Sequence, residues 1–255
     1  RDEQAGGSWF GINRSGRVAL LTNITEDVKP FNTSRGSLVS SFLLSDSPHP
    51  LEDEVGKIVP KDAKYAGFNL LLLAPIINSS GTIGYDSLFV TNHGGGGTLI
   101  SRSLSPKEKT CGGISNGIDG QGAGQWPKVC HATEQFESLL RQQNSDVPEK
   151  ELVNGLFELL TWHPPQAITK RAELRTTVQV PPVQISYEGT GKTTPTFYGT
   201  RLSTVLLIKR NGEAVFIERD IYQLVDGVPV QPDPPTQREF RFHVDVKPNT
   251  AVECD

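Results

Sequence analysis

The stretch FNLLLLA at residues 68–74 decides the fold, because it is an apolar run bounded by Gly67 and Pro75. A run of this kind between turn residues predicts a buried strand. A second run, IGYDSLFV at residues 83–90, follows after the turn-forming sequence NSSG at residues 78–81. Together the two runs predict a buried hairpin.

Apolar patterns on both sides of this hairpin predict the other elements. An earlier hairpin is predicted from apolar runs at residues 9–12 and 17–21, which are split by a turn. Helices are predicted over residues 38–43 with Ser37 as the N-cap, from Pro127 to Arg141, and over residues 152–160. Late strands are predicted at residues 178–187, 203–209, 214–218 and 240–244, with Asn211-Gly212 as a hairpin turn.

Two segments show neither the helical repeat of about 3.6 residues nor the two-residue alternation of a strand. Residues 92–125 are rich in Gly, Ser and charged side chains, and residues 227–237 are rich in Pro and Asp, so both are predicted to be loops. The order of strands, then helices, then strands again differs from the alternation of a doubly wound fold. We therefore predict an α+β fold in which helices face antiparallel sheets, organised as a single domain over residues 1–255.

Composition restricts the function classes. The 25 Lys and Arg against 29 Asp and Glu give a net charge of −4 with no basic block, so a nucleic-acid partner is not expected. The longest apolar stretch, residues 70–77, is far shorter than the ~20 residues of a membrane-spanning helix. Cys111, Cys130 and Cys254 are odd in number and lack metal-site spacing, which favours a reducing compartment over a disulfide framework.

Two motifs typical of serine hydrolases occur in the predicted loop. GISNG at residues 113–117 satisfies G-x-S-x-G around Ser115, and HGGG at residues 93–96 is typical of an oxyanion-hole loop. That chemistry requires the serine on a tight turn between a core strand and a helix. Neither flank of Ser115 has these patterns, so the alternative interpretation is a glycine-rich loop.

Other chemical motifs are weaker still. SYEGTGKT at residues 186–193 approaches a phosphate-binding loop, but Ser186 replaces the first Gly and no helix pattern follows it. The five histidines have no pairing typical of a zinc site. We interpret residues 186–193 as a solvated hairpin loop and predict no metal site and no resident cofactor.

A set of motifs spread along the chain carries a family resemblance. In order they are RDxxxGGSWFG at residues 1–11, GRVALLTN at 16–23, YxGFNL at 65–70, GISN at 113–116, WPKV at 126–129 and YGTRxSTVL at 198–206. This order resembles the NRDE family, also called the transport and Golgi organisation protein 2 family. The family starts with a Cys-bearing strand and an Asn-Arg-Asp-Glu segment, which are expected upstream of residue 1, so the N-terminal strand is expected to be missing from this chain.

The resemblance implies a fold and a site. The family is similar to amino-terminal-nucleophile hydrolases, which are four-layer αββα sandwiches of antiparallel sheets, and a processed first Cys serves them as nucleophile and base. In those hydrolases an Asn side chain donates a hydrogen bond to the oxyanion, and an Arg on a strand late in the chain orients the catalytic centre. The resemblance therefore implies these roles for Asn116 and Arg201. Asn23 is a third candidate ligand-binding residue. The alternatives are a loop turn for Asn116, a buried partner of Asp2 or Asp220 for Arg201, and backbone capping for Asn23.

The implied function is a role in Golgi organisation and protein secretion and in the handling of haem or acyl lipids. Without the leading Cys we expect no catalysis, and the expected partner is a small amphipathic or carboxylated ligand, with haem as a candidate cargo. The expected location is cytoplasmic, with association to the Golgi or mitochondria left open. The alternatives are an amidohydrolase whose nucleophile lies upstream and a serine esterase that uses Ser115.

Overall fold

The computed structural model describes residues 6–27, 30–47, 49–60, 63–142, 147–185 and 196–246. The chain forms two compact units. Unit 1 comprises Arg1–Gly124, Ile208–Ala214 and Phe242–Asp255, and unit 2 comprises Gln125–Leu207 and Val215–Arg241.

Unit 1 is built on a five-stranded antiparallel sheet. Its strands, in chain order and also in sheet order, are β1 (Phe10–Ile12), β2 (Val18–Asn23), β3 (Phe68–Ile77), β4 (Ile83–Thr91) and β5 (Ile100–Ser103). The predicted hairpins β1–β2 and β3–β4 are both confirmed. The register of the central strands places Ala19 opposite Leu72 and Leu72 opposite Leu88.

One face of this sheet forms the core of unit 1. Side chains alternate between faces along a strand, so Phe68, Leu70 and Leu72 share a face, and all three are fully buried. Leu88 and Val90 on β4 extend the same apolar stripe. Continuous burial of this stripe explains why the run at residues 68–74 forms a strand.

Two helices cover that face: α1 (Gly36–Leu44) and α2 (Leu51–Ile58). Leu38, Val39 and Phe42 of α1 belong to the same cluster of buried side chains as the sheet residues. The N-cap prediction for Ser37 is wrong, because the helix starts at Gly36 and the Ser37 hydroxyl instead donates to the Ser34 carbonyl oxygen at 2.6 Å. Helix α2 was not predicted.

The segment predicted as a loop at residues 92–125 contains regular structure. Besides β5 it includes α3 (Pro106–Thr110) and a 3-10 turn at Ala123–Gln125. Helix α3 is short but has a complete capping box, in which the Ser105 hydroxyl accepts from the Glu108 N–H and the Glu108 carboxylate accepts from the Ser105 N–H. The prediction of an unbroken loop was wrong because elements of four or five residues are too short to show a period.

Unit 2 contains the two predicted adjacent helices, α4 (Pro127–Gln142) and α5 (Glu149–Leu160), followed by a 3-10 turn at Arg171–Thr176. Two short antiparallel pairs are β6 (Val183–Ile185) with β7 (Thr196–Tyr198), and β10 (Gln223–Val225) with β11 (Val228–Val230). Strand β11 falls within the loop predicted at residues 227–237 and corrects its first part, whereas residues 231–236 belong to no helix or strand, as predicted. The turn between β10 and β11, Asp226-Gly227, has positive φ at both residues, as a tight hairpin turn requires.

A three-stranded sheet has the order β12–β9–β8, with β8 (Leu202–Ile208), β9 (Glu213–Asp220) and β12 (Gln237–His243). The predicted turn at Asn211-Gly212 joins β8 to β9, and Gly212 has a φ of 96°. In unit 2, Val205, Val215 and Ile217 of this sheet cluster with Val153 and Phe157 of α5. That cluster is the core of unit 2.

The predicted α+β class with antiparallel sheets is confirmed. Every described strand pair whose register is defined is antiparallel. Among the described helices, none has the length and apolar character needed to cross a bilayer.

Candidate functional site

The candidate site lies where three strands of unit 1 end together. Because neighbouring strands are antiparallel, the last residues of β2 and β4 lie beside the first residues of β3. Thr22 is paired with Asn69, and Asn69 with Thr91, so three polar side chains follow one another across the sheet. Asn69 and Thr91 are buried, at 3% and 1% exposure.

The loop that carries the GISN motif is bound to this end of the sheet. The Thr22 hydroxyl donates to the Ser115 carbonyl oxygen at 2.8 Å. The Asn69 side-chain amide donates to the carbonyl oxygens of Ser115 at 3.0 Å and Gly117 at 2.8 Å. Asn69 therefore caps backbone groups, which satisfies main-chain acceptors that a buried loop would otherwise leave without donors.

Two of the three predicted site residues are in direct contact. Asn116 donates from Nδ2 to the Asn23 carbonyl oxygen at 2.9 Å, and the Thr25 N–H donates to the Asn116 carbonyl oxygen at 2.7 Å. These reciprocal bonds join the loop to the end of β2. Asn116 thus anchors its loop to the end of β2, and its role toward a ligand stays a prediction.

Two buried polar atoms at this junction have no hydrogen-bond partner within the described part of the chain: Asn23 Oδ1 and Ser115 Oγ. A buried polar atom left in this state costs about 1–3 kcal/mol. The Asn23 oxygen can only accept a hydrogen bond, whereas the Ser115 hydroxyl can donate or accept. The junction therefore contains one acceptor and one hydroxyl whose hydrogen-bonding capacity is not used by any described residue.

The geometry does not support Ser115 as a nucleophile. Its hydroxyl contacts no base within the described residues, and residues 111–118 belong to no helix or strand. A serine nucleophile needs a hydrogen-bonded base and a sharp strand-to-helix turn. Ser115 has neither feature here.

The HGGG loop does not serve as an oxyanion hole in this structure. Its N–H groups all donate to acceptors within unit 1. Three of them donate to side chains: His93 to Thr91 Oγ1 at 3.1 Å, Gly94 to Asn92 Oδ1 at 3.4 Å and Gly95 to Glu26 Oε2 at 2.7 Å. Gly96 donates to the Tyr65 carbonyl oxygen at 2.8 Å, and the following Gly97 donates to the Gly94 carbonyl oxygen at 3.0 Å. An oxyanion hole requires such N–H groups to face the reacting oxygen. The glycine-rich loop interpretation is the one that fits.

Arg201, the third predicted residue, lies in unit 2 just before β8. Its carbonyl oxygen accepts from the Ile221 N–H at 2.8 Å, while its side chain is exposed. The Asp220 carboxylate is bound by the Thr236 hydroxyl and by Arg238. The Thr236 hydrogen bond does most to lower the pKa of this carboxyl, Arg238 lowers it further, and the charge of Arg201 has a smaller effect in the same direction. Arg201 is therefore not a buried partner of Asp220.

An ion cluster on β5, not predicted from the sequence, also holds the loop. Arg102 donates to Asp119 from Nε at 2.8 Å and from Nη2 at 3.0 Å, and donates to Glu108 from Nη1 at 3.0 Å and Nη2 at 2.9 Å. Chiefly because of the Arg102 bonds, the pKa of Glu108 is lowered to about 2. The cluster joins β5, α3 and the loop at residue 119, a combination that no sequence pattern indicated.

The remaining sequence candidates are Asp2, residues 186–193, the metal-ligating side chains and the cysteines. Asp2 and the phosphate-loop mimic at residues 186–193 lie outside the described residues. Among the residues the structure describes, no group of three His, Cys, Asp or Glu side chains could hold a metal ion. Cys111 is buried and Cys130 lies partly buried on α4, and neither forms a disulfide.

Comparison with known proteins gives one family. The family model described as Transport and Golgi organisation 2 matches residues 1–223. The mouse Transport and Golgi organization 2 homolog is 29% identical over 219 residues, covering 86% of this chain and 73% of the mouse protein. The human homolog is 26% identical over 217 residues (85% and 72% of the two chains), and an uncharacterised protein of Saccharomyces cerevisiae is 28% identical over 273 residues (94% and 83%).

Proposed function

The chain belongs to the Transport and Golgi organisation 2 family, and from that premise we propose that it holds a small ligand as part of Golgi organisation and protein secretion, without hydrolysing it. The observation that carries the proposal is the pair of buried polar atoms without partners, Asn23 Oδ1 and Ser115 Oγ. A bound molecule that hydrogen-bonds both atoms would remove their desolvation cost. The proposed location is cytoplasmic, at the Golgi or mitochondria.

The chemistry of these atoms limits the ligand. Asn23 Oδ1 needs an N–H or O–H group, whereas the Ser115 hydroxyl can donate to a carboxylate. Arg201 lies in unit 2, and its predicted role toward a carboxylate, for which its planar fork is suited, stays a separate prediction. We therefore propose an amphipathic, carboxylated or amide-bearing ligand, with haem and acyl lipids as the first candidates.

Haemin and oleate are suitable probes. For the wild-type protein we expect saturable binding of at least one of them by absorbance titration or calorimetry. Substitution S115A is expected to weaken binding about fivefold, with little change in Tm. S80A serves as the matched control, because Ser80 is exposed in the turn between β3 and β4 and forms no part of the proposed site. Unchanged affinity in S115A would exclude Ser115 from the site.

A double-mutant cycle tests whether Asn23 and Ser115 contact the same ligand. If N23A and S115A act on one bound molecule, their effects on Kd are expected to be non-additive. Additive effects would argue for separate sites. Turnover of an acyl amide, or a covalent acyl adduct on a cysteine of a form that includes upstream residues, would favour the amidohydrolase alternative instead.

A further inference from the structure

The loop between α3 and residue 122 carries Ser115 and Asn116 and is fixed at two places. On one side, Thr22 and Asn69 bind the Ser115 carbonyl oxygen from the end of the sheet. On the other side, Asp119 forms an ion pair with Arg102 on β5. Asp119 is only three residues beyond Asn116, so a displacement of Asp119 would be transmitted directly to the site residues.

Arg102 is itself placed accurately by the sheet. It pairs with Phe89 in the β4–β5 register, and its guanidinium carbon lies 4.7 Å from the centroid of the buried Phe89 ring. The ring supports the guanidinium plane by a cation–π contact. One edge of the guanidinium then binds both oxygens of Asp119, and the other edge binds both oxygens of Glu108.

We propose that Arg102 is a positioning residue for the ligand site, and that it sets the place of Ser115 and Asn116 through Asp119. This inference rests on the proposed function of the junction. The two acceptors of Arg102 have different roles. Asp119 belongs to the loop that carries the site, whereas Glu108 belongs to α3, outside the segment 113–117 that carries Ser115 and Asn116.

This difference supplies the test, because D119N and E108Q each replace one carboxylate partner of Arg102 by an amide. Hydrogen exchange of the amides in residues 113–117 and the Kd for haemin or oleate are measured in both variants. D119N is expected to increase exchange about tenfold and weaken binding about fivefold. E108Q is expected to leave both quantities within about twofold of wild type.

R102K separates charge from geometry, because lysine keeps the charge but cannot bind Asp119 through two parallel bonds. R102K is expected to behave like D119N, and R141A, which removes an exposed ion pair on α4, is expected to behave like wild type. Equal effects of E108Q and D119N on exchange would overturn the proposal. If neither probe binds the wild-type protein, the proposed function fails, while the exchange measurements still decide whether Arg102 positions the loop.

Discussion

Gly7 shows at the residue scale why part of the family motif is structural. A Cβ atom at this position would lie 2.3 Å from the carbonyl carbon of Gly36, the first residue of α1. The Ser8 N–H donates to the carbonyl oxygen of Gly36 at 3.3 Å. The glycine of the GGSW motif therefore allows two main-chain segments to approach each other closely.

Substitution G7A is expected to destabilise the protein by about 1–3 kcal/mol, because the obstructing atoms belong to the backbone and must shift. The matched control is G56A on α2, where an added Cβ meets nothing within 4 Å. Alanine is a better helix former than glycine, so G56A is expected to stabilise by about 0.5–1 kcal/mol. Urea unfolding measures both changes. If G7A and G56A changed the free energy of unfolding in the same direction, the close backbone approach at Gly7 would not explain the effect.

Glu54 and Arg17 form a buried ion pair in unit 1, with a distance of 2.6 Å between Oε1 and Nη2. The Arg17 guanidinium carbon also lies 3.9 Å from the Phe42 ring centroid, and Nε donates to the Phe42 carbonyl oxygen. E54Q leaves a buried cation without its anion, so a loss of about 3 kcal/mol is expected by urea unfolding. The double variant R17M/E54L should recover most of that loss, and failure to recover would mean that the pair itself is strongly stabilising.

At the element scale, the hairpin β3–β4 was predictable because nearly every residue of its central part is apolar. Helix α2 was not, although Leu51, Val55 and Ile58 have helical spacing, because charged residues and Gly56 lie between them. The β10–β11 hairpin was also missed. Its strands have three residues each, and apolar side chains such as Leu224 and Val228 stay exposed instead of forming a buried stripe. Local patterns predict elements whose apolar residues form a long or regular run and fail for elements in which that run is short or interrupted.

The contact between Asn23 and Asn116 also could not be predicted from a local pattern. The two residues are 93 positions apart, and their contact depends on the register of β2 with β3 and on the path of an irregular loop. The sequence indicated both residues through the family resemblance. It could not indicate the bonds from Thr22 or the Arg102 cluster, because no periodic pattern encodes them.

Helix α3 and its capping box should be sensitive to acid. The folded pKa of Glu108, about 2, lies below its ordinary value of 4.5, so the charged form is favoured by folding. The resulting stability is fully present above pH 4.5 and is lost as pH falls from there toward 2. Hydrogen exchange of the α3 amides against pH measures this loss in the wild type.

E108Q is the control for that experiment, because Gln can still complete the capping box but carries no charge. The stability of α3 in E108Q is expected to be lower at neutral pH and to depend less on pH between 4.5 and 2 than in the wild type. An identical pH dependence in both proteins would assign the acid sensitivity to another group.

At the scale of the whole molecule, the chain alternates between the two compact units. The unit changes between residues 124 and 125, 207 and 208, 214 and 215, and 241 and 242. Three of these changes fall inside the strands β8, β9 and β12. A strand that contributes residues to both units is expected to couple their unfolding, and the single domain over residues 1–255 stays a prediction that such coupling would support.

This coupling is tested by one large-to-small substitution in each core. F42A in unit 1 and F157A in unit 2 each remove a fully buried ring and are expected to cost about 3–5 kcal/mol. If unfolding is cooperative, either substitution lowers the protection of the slowest-exchanging amides in both β3 and α5 by the same free energy. A change confined to the unit that carries the substitution would show instead that the strands β8, β9 and β12 do not couple the units, and that the chain is two domains whose segments alternate along the sequence.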